Sequence, residues 1–186
     1  MKLRMVDGFK IRNTTNTNFA GFAAHAYDPV VPKGELWIED YLKPEKELMI
    51  HVVETEQRYR RRTFAFIRAR LQKEAAKHGT PPPFIKKRER LGSLTIISVD
   101  GAIVRKYLDP YFFLGGHDLV YSYIPKKEIW IDLLNNAKDN KFTLIHERHE
   151  RKLMARGMEY ASAHDYALAE ERYHRRKAGV AHFTNG

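Results

Sequence analysis

Two stretches of this chain repeat each other at a constant spacing of 93 residues, and this limits what it can fold into more than any other feature. Val6-Asp7-Gly8 returns as Val99-Asp100-Gly101, Arg12 as Arg105, Phe19 as Phe112, and Pro32-Lys33 as Pro125-Lys126. Glu35-Leu36-Trp37-Ile38-Glu39 returns as Glu128-Ile129-Trp130-Ile131-Asp132, so the only two tryptophans of the chain fall in register. With a slip of two residues, Met49-Ile50-His51 lies over Leu144-Ile145-His146. A shared order and spacing of this kind predicts a tandem duplication, and two copies are too few for a solenoid.

The expected fold is therefore α+β, with two pseudo-symmetric halves. Each copy reads as a β-hairpin around Val-Asp-Gly, since Asp-Gly is a turn signal. A loop with Phe and Gly follows, then the tryptophan strand, then a helix pair. In that strand Ile129 and Ile131 alternate with Glu128, Trp130 and Asp132, and Asp132 is expected as a sheet-edge carboxylate. The boundaries are residues 1–80 for the first copy, 81–93 for a proline-rich charged linker opening on Pro81-Pro82-Pro83, and 94–186 for the second copy. In the second copy the first helix is expected over about 140–156, capped by Asp139 and ended by Gly157, and the second from about Tyr160 to Lys177.

The first of these helices carries His146-Glu147-Arg148-His149-Glu150. At helical spacing His146, His149 and Glu150 share the face of Phe142, Ile145 and Leu153, with Glu147 on its flank. Ionisable groups rarely sit on a core-facing stripe unless they are paired or hold a metal. The chain has no cysteine, so a metal site must use His, Asp or Glu. Residues four apart on a helix can converge on one ion, here His146 and Glu150. Glu147 would then face a water that the ion activates, as general base. His164, on the apolar stripe of the second helix with Ala167, Leu168 and Glu171, is the preferred third ligand. His149 and His117, the latter in the loop Gly115-Gly116-His117-Asp118, are the alternatives. The competing reading is a metal-free polar network, with Arg151 or Arg156 neutralising Glu147 or Glu150.

This segment resembles the H-E-x-x-H helix of the zincin metallopeptidases, with Glu150 standing where the second histidine would be. The resemblance implies a zinc-dependent hydrolase acting on peptides, with the strand Glu128 to Asp132 bordering the cleft and pairing with an extended substrate by β-augmentation. Residues 115–171 also resemble a group of proteins with no assigned activity. These share a Gly-Gly-His loop, an Ile-Pro…Glu-Ile-Trp-Ile-Asp strand, a His-Glu-x-His-Glu-Arg-x-Leu-Met helix and a following Tyr-x-x-Ala-His.

The first copy keeps the scaffold without this chemistry. His51 stands over His146, but Val52 replaces Glu147, Glu54 replaces His149, Thr55 replaces Glu150 and Arg68 replaces His164. Phe22-Ala23-Ala24-His25 replaces the Gly-Gly-His loop. Its last helix has an apolar stripe of Phe64, Ile67, Leu71 and Ala75 and is otherwise strongly basic. Residues 58–90 hold 12 basic and 2 acidic side chains of a chain whose net charge is +10. That concentration points to nucleic acid or another polyanion as a partner, through Arg58, Arg60, Arg61, Arg62 and Arg70. The second expected function is accordingly a nucleic-acid-binding or virion-associated structural protein. No run of about 18 apolar residues exists, so no membrane span is expected. The N-terminus shows no apolar leader, which predicts a cytoplasmic location.

Overall fold

A computed structural model of the chain describes residues 2–24 and 28–182. It is mixed α/β, with six helices and two small mixed sheets among the described residues. The first half runs β1 (Lys2–Val6), α1 (Gly8–Thr14), β2 (Phe22–Ala24), β3 (Glu35–Glu39), α2 (Lys46–Arg58) and α3 (Phe64–Ala75). The second runs β4 (Ile85–Leu91), β5 (Leu94–Val99), α4 (Gly101–Tyr107), β6 (Gly115–His117), β7 (Glu128–Asp132), α5 (Ala137–Met154) and α6 (Tyr160–Lys177). No described helix is long and apolar enough to cross a membrane.

The two sheets have the same pattern of pairing. β1 is parallel to β3 with Lys2 opposite Glu35 and Val6 opposite Glu39, and β2 is antiparallel on the other side of β3. β5 is parallel to β7 with Thr95 opposite Glu128 and Val99 opposite Asp132, and β6 is antiparallel on the other side of β7. Every parallel pair of the second sheet lies 93 residues after a pair of the first. The tryptophan strand is thus an inner strand in both sheets. In each half its indole donates to the glutamate two residues earlier, Trp37 to Glu35 at 3.0 Å and Trp130 to Glu128 at 2.8 Å. Alternation places Ile129 and Ile131 under α5, beside Leu144, while Trp130 joins Ile97, Val99, Val104 and Phe112 on the opposite face.

Three expectations about local structure are corrected. Val-Asp-Gly is a strand-to-helix junction and not a hairpin. Asp7 takes the N-cap of α1 and its carboxylate accepts from the Lys10 amide at 3.0 Å, so the chain enters a helix instead of turning back. The glycine is required by packing. A Cβ on Gly8 would lie 1.9 Å from a Glu39 carboxylate oxygen, and one on Gly101 2.0 Å from that of Asp132. Residues 81–93 are not simply a linker, because β4 occupies 85–91 and pairs antiparallel with β5 around Gly92-Ser93. Its side chains are exposed and largely charged, which suits an edge strand. Asp132 is fully buried and not a sheet-edge carboxylate.

Asp132 belongs to a pair of buried arginine clusters that tie the halves together. Arg12 donates to Glu39 at 2.6 Å and to the Phe19 carbonyl at 2.8 Å. Arg105 does the same with Asp132 at 2.6 Å and the Phe112 carbonyl at 3.0 Å. Each then reaches into the other half: Arg12 to Asp139 at the start of α5, at 2.8 Å, and Arg105 to Glu45 just before α2, at 2.8 Å. A guanidinium has five donors in a rigid fork, so one arginine can hold a strand end, a loop carbonyl and a helix start of the opposite half together.

Candidate metal centre

α5 and α6 pack antiparallel behind the second sheet, and the ionisable groups on their facing sides meet at one end of a cavity of about 440 Å³. His146 and Glu150 come from consecutive turns of α5, His164 from the second turn of α6, and His117 from the end of β6. The His146 Nε2 atom is 3.2 Å from His164 Nδ1 and 3.5 Å from Glu150 Oε2, and His164 Nδ1 is 2.7 Å from Glu150 Oε2. Ligands of a tetrahedral zinc ion with bonds of about 2.0–2.1 Å lie about 3.3–3.4 Å apart, so the two distances from His146 Nε2 suit one face of such a site, while His164 and Glu150, at hydrogen-bond distance, would have to part by about 0.6 Å to admit the ion.

The outward atoms decide which lone pairs face inward. His146 Nδ1–H donates to Glu171 at 3.0 Å, leaving Nε2 unprotonated toward the cluster when the ring is neutral. His164 Nε2–H donates to the Asn18 side-chain oxygen at 3.0 Å, leaving Nδ1 toward the cluster. With Glu150 Oε2, three lone pairs converge with no donor among them unless a cation is present. Without a metal that cation is a proton. Burial pulls the His146 pKa down, but Glu150 and Glu171 more than offset it and hold it up at about 10. Glu150 is destabilised as an anion by burial, yet the hydrogen bond from His117 and the shared proton of the His146–His164 pair hold its pKa far below the usual range.

His117 separates from the ligand set on the same reasoning. His117, Glu147 and Glu150 form a second group close enough for a metal, but His117 Nδ1 accepts the Leu119 amide at 3.2 Å. Its Nε2 therefore carries the proton and donates to Glu150 Oε1 at 3.0 Å. His117 fixes the carboxylate and does not offer a lone pair. His149 faces away from the cluster, toward Leu94, Arg148 and Lys152 on the outer side of α5. The 100° step per residue that puts His146 and Glu150 inside carries His149 past the core-facing arc.

Glu147 lines the same cavity, half-buried, and has no ion pair among the described residues. Arg151, expected as a neutralising partner, is drawn instead to Asp118, at 2.5 Å. Burial, reinforced by the negative charge of Glu150 and only partly opposed by His146, raises the Glu147 pKa to about 7. A carboxylate poised near neutrality beside three convergent acceptor atoms is suited to taking and returning a proton.

Behind His146 runs a continuous buried chain of charges that the sequence did not reveal. Glu171 accepts from Arg175 at 2.8 Å, Arg175 donates to Asp139 at 2.6 Å, and Asp139 accepts from Arg12, which holds Glu39. Asp139 was expected as the cap of α5, but Asn136 caps the helix and Asp139 is buried between the two arginines. Asn18 also escaped notice, because nothing in a loop of Thr and Asn marks one amide as a partner of a histidine 146 residues away.

Among the described residues the first half offers no equivalent site. His51 is exposed and pairs with Glu74 at 2.8 Å, so it does not take the place of His146. Counting from Glu45 and Asp139, the two reciprocal acids, Val52 and Glu56 stand where His146 and Glu150 do. Arg68, over His164, binds Asp109 at 2.6 Å. His25 lies outside the described residues. β7 cannot bind an extended peptide by its edge, because β5 and β6 already flank it. No family model, no curated protein and no solved structure matches this chain.

Proposed function

We propose that the chain is a zincin-like, metal-dependent hydrolase acting on peptides, with one divalent ion held by His146, Glu150 and His164. The reading rests above all on the convergence of three lone pairs whose outer atoms are already committed to Glu171, His117 and Asn18. Two imidazoles and a carboxylate are a donor set of catalytic zinc sites in peptidases, and each ligand having a second hydrogen-bonded partner is the usual way of fixing it. A zinc ion there would supply Lewis acidity, polarising a carbonyl and acidifying water. Glu147 accepts the proton of the attacking water and passes it to the leaving amine. Tyr160, stacked on the His164 ring at 5.6 Å, helps hold that ring in place.

We also infer that the halves arose by duplication of one module, and that the first now supports the second. The repeated ladder and the reciprocal arginines support this. So does the loop of residues 17–20, which lends Asn18 to the centre and closes one wall of the cavity. The test of activity is direct. A strong chelator should abolish hydrolysis of an unstructured peptide by the purified protein, and one equivalent of zinc should restore it. Activity that survives complete metal removal would end the hydrolase reading.

A second reading, polyanion binding by the α2–α3 corner, has one observation in its favour. The Arg62 guanidinium lies 5.3 Å over Phe66 and that of Arg70 4.9 Å over Tyr59, and these two rings are 5.7 Å apart. Arg58, Arg60 and Arg61 are exposed at and just beyond the end of α2. Binding to single-stranded nucleic acid should weaken steeply with salt. Changing Arg60, Arg61 and Arg70 to Glu should abolish it, which filter binding at low salt would show. Unchanged affinity would make the face solvated surface only.

A further inference from the structure

The cavity at the centre does not end there. A second groove of about 460 Å³ shares Tyr111, Val120, Tyr121 and Tyr160 with it and continues outward over Phe64, Leu119 and Met154. Phe64, Leu119 and Tyr160 are 57%, 42% and 49% exposed, so three large apolar side chains stand in solvent along one path. Exposed apolar side chains on a contiguous concave surface mark a binding surface more often than isolated ones do. The aromatic wall is braced, since Phe64 packs edge-on against Tyr111 at 4.9 Å.

Charge narrows the occupant. Arg68 is the one Lys or Arg lining either groove among the described residues. It is already bound to Asp109, through Nε at 2.9 Å and Nη2 at 2.6 Å, and its guanidinium lies 4.6 Å over the Tyr121 ring. The inner end of the path holds the carboxylates of Glu147 and Glu150. A phosphate backbone would therefore meet neutralised or negative groups, whereas an uncharged apolar side chain meets rings and aliphatic carbons.

We propose that this groove takes an aromatic or long aliphatic side chain of an extended peptide substrate, next to the bond that the candidate centre cuts. The proposal rests on the peptidase reading for the cut but not for the binding. Blocked hexapeptides of Ala and Gly, with either phenylalanine or alanine at the third position, are titrated calorimetrically into metal-free protein and offered as substrates to the zinc-loaded protein.

The phenylalanine peptide should bind metal-free protein at least about tenfold more tightly, the scale of burying one large apolar side chain. Phe64→Ser and Leu119→Ser, both at exposed positions and checked for unchanged melting, should each remove most of that preference. Selective binding without cleavage by zinc-loaded protein would leave the groove standing and remove the peptidase. Cleavage with no preference for phenylalanine would do the reverse and overturn the groove proposal, as would equal binding of the two peptides. A single-stranded oligonucleotide that displaces the phenylalanine peptide, and loses affinity in Phe64→Ser, would also overturn it in favour of nucleic acid.

Discussion

Replacing Glu147 by glutamine is expected to cut peptide hydrolysis by about 10²-fold or more, the scale of losing a general base, while zinc content stays the same. Glutamine keeps the size of the side chain and removes its ability to accept a proton. Stability should not fall, because Glu147 makes no ion pair among the described residues and its charge is disfavoured by burial and by Glu150. The pH profile gives an independent check. Glu147 acts as a base only when ionised, so activity should rise with pH through an apparent pKa at or below about 7, a bound cation drawing it lower. That rise should be missing from the residual activity of the variant. Loss of zinc in Glu147→Gln would make Glu147 a ligand, and unchanged activity would place the chemistry elsewhere.

Asp139→Ala is expected to destabilise the protein by about 3–5 kcal/mol, the cost of breaking a buried ion pair from one side. The carboxylate is fully buried between Arg12 and Arg175, which are themselves buried, and without it two guanidinium groups lose a shared anion inside the core. A helix cap at the same position would cost only about 1 kcal/mol, so urea unfolding separates the two roles. The effect should also reach the centre. Arg175 would lose one of the contacts that hold Glu171 against His146, and zinc affinity should fall in whatever fraction stays folded. A loss near 1 kcal/mol, with zinc affinity untouched, would show that the chain of charges is incidental.

Much of this architecture was legible in the sequence, and the parts that were not share a cause. The equivalence of the two tryptophan strands could be read from the repeat, but their parallel pairing with β1 and β5 could not. α6 runs from Tyr160 to Lys177 as expected, its stripe of Ala163, Ala167 and Leu168 setting the period and Gly157 standing before it. The pairing of His146 with Glu150 and the approach of His164 follow from helical spacing on two adjacent helices. The hidden features depend on partners distant in sequence. Asp139 looks like a cap until Arg12, 127 residues away, draws it into the core. The hairpin expected at Val-Asp-Gly gave way because Asp-Gly also suits a helix start when the glycine must pass close under a carboxylate. β4 was hidden because a charged edge strand has no apolar alternation to betray it.

Whether His146, Glu150 and His164 hold one divalent ion decides between a metal centre and a polar network. This is tested most directly by elemental analysis of protein purified without an affinity tag, stripped and reloaded with zinc, beside His146→Ala and His117→Ala. Close to one zinc per chain is expected in the unaltered protein. Almost none is expected in His146→Ala and, because His117 is placed to steady Glu150 without ligating, a retained but weaker site in His117→Ala. No uptake by the unaltered protein, or zinc lost in His117→Ala and kept in His146→Ala, would contradict the metal centre.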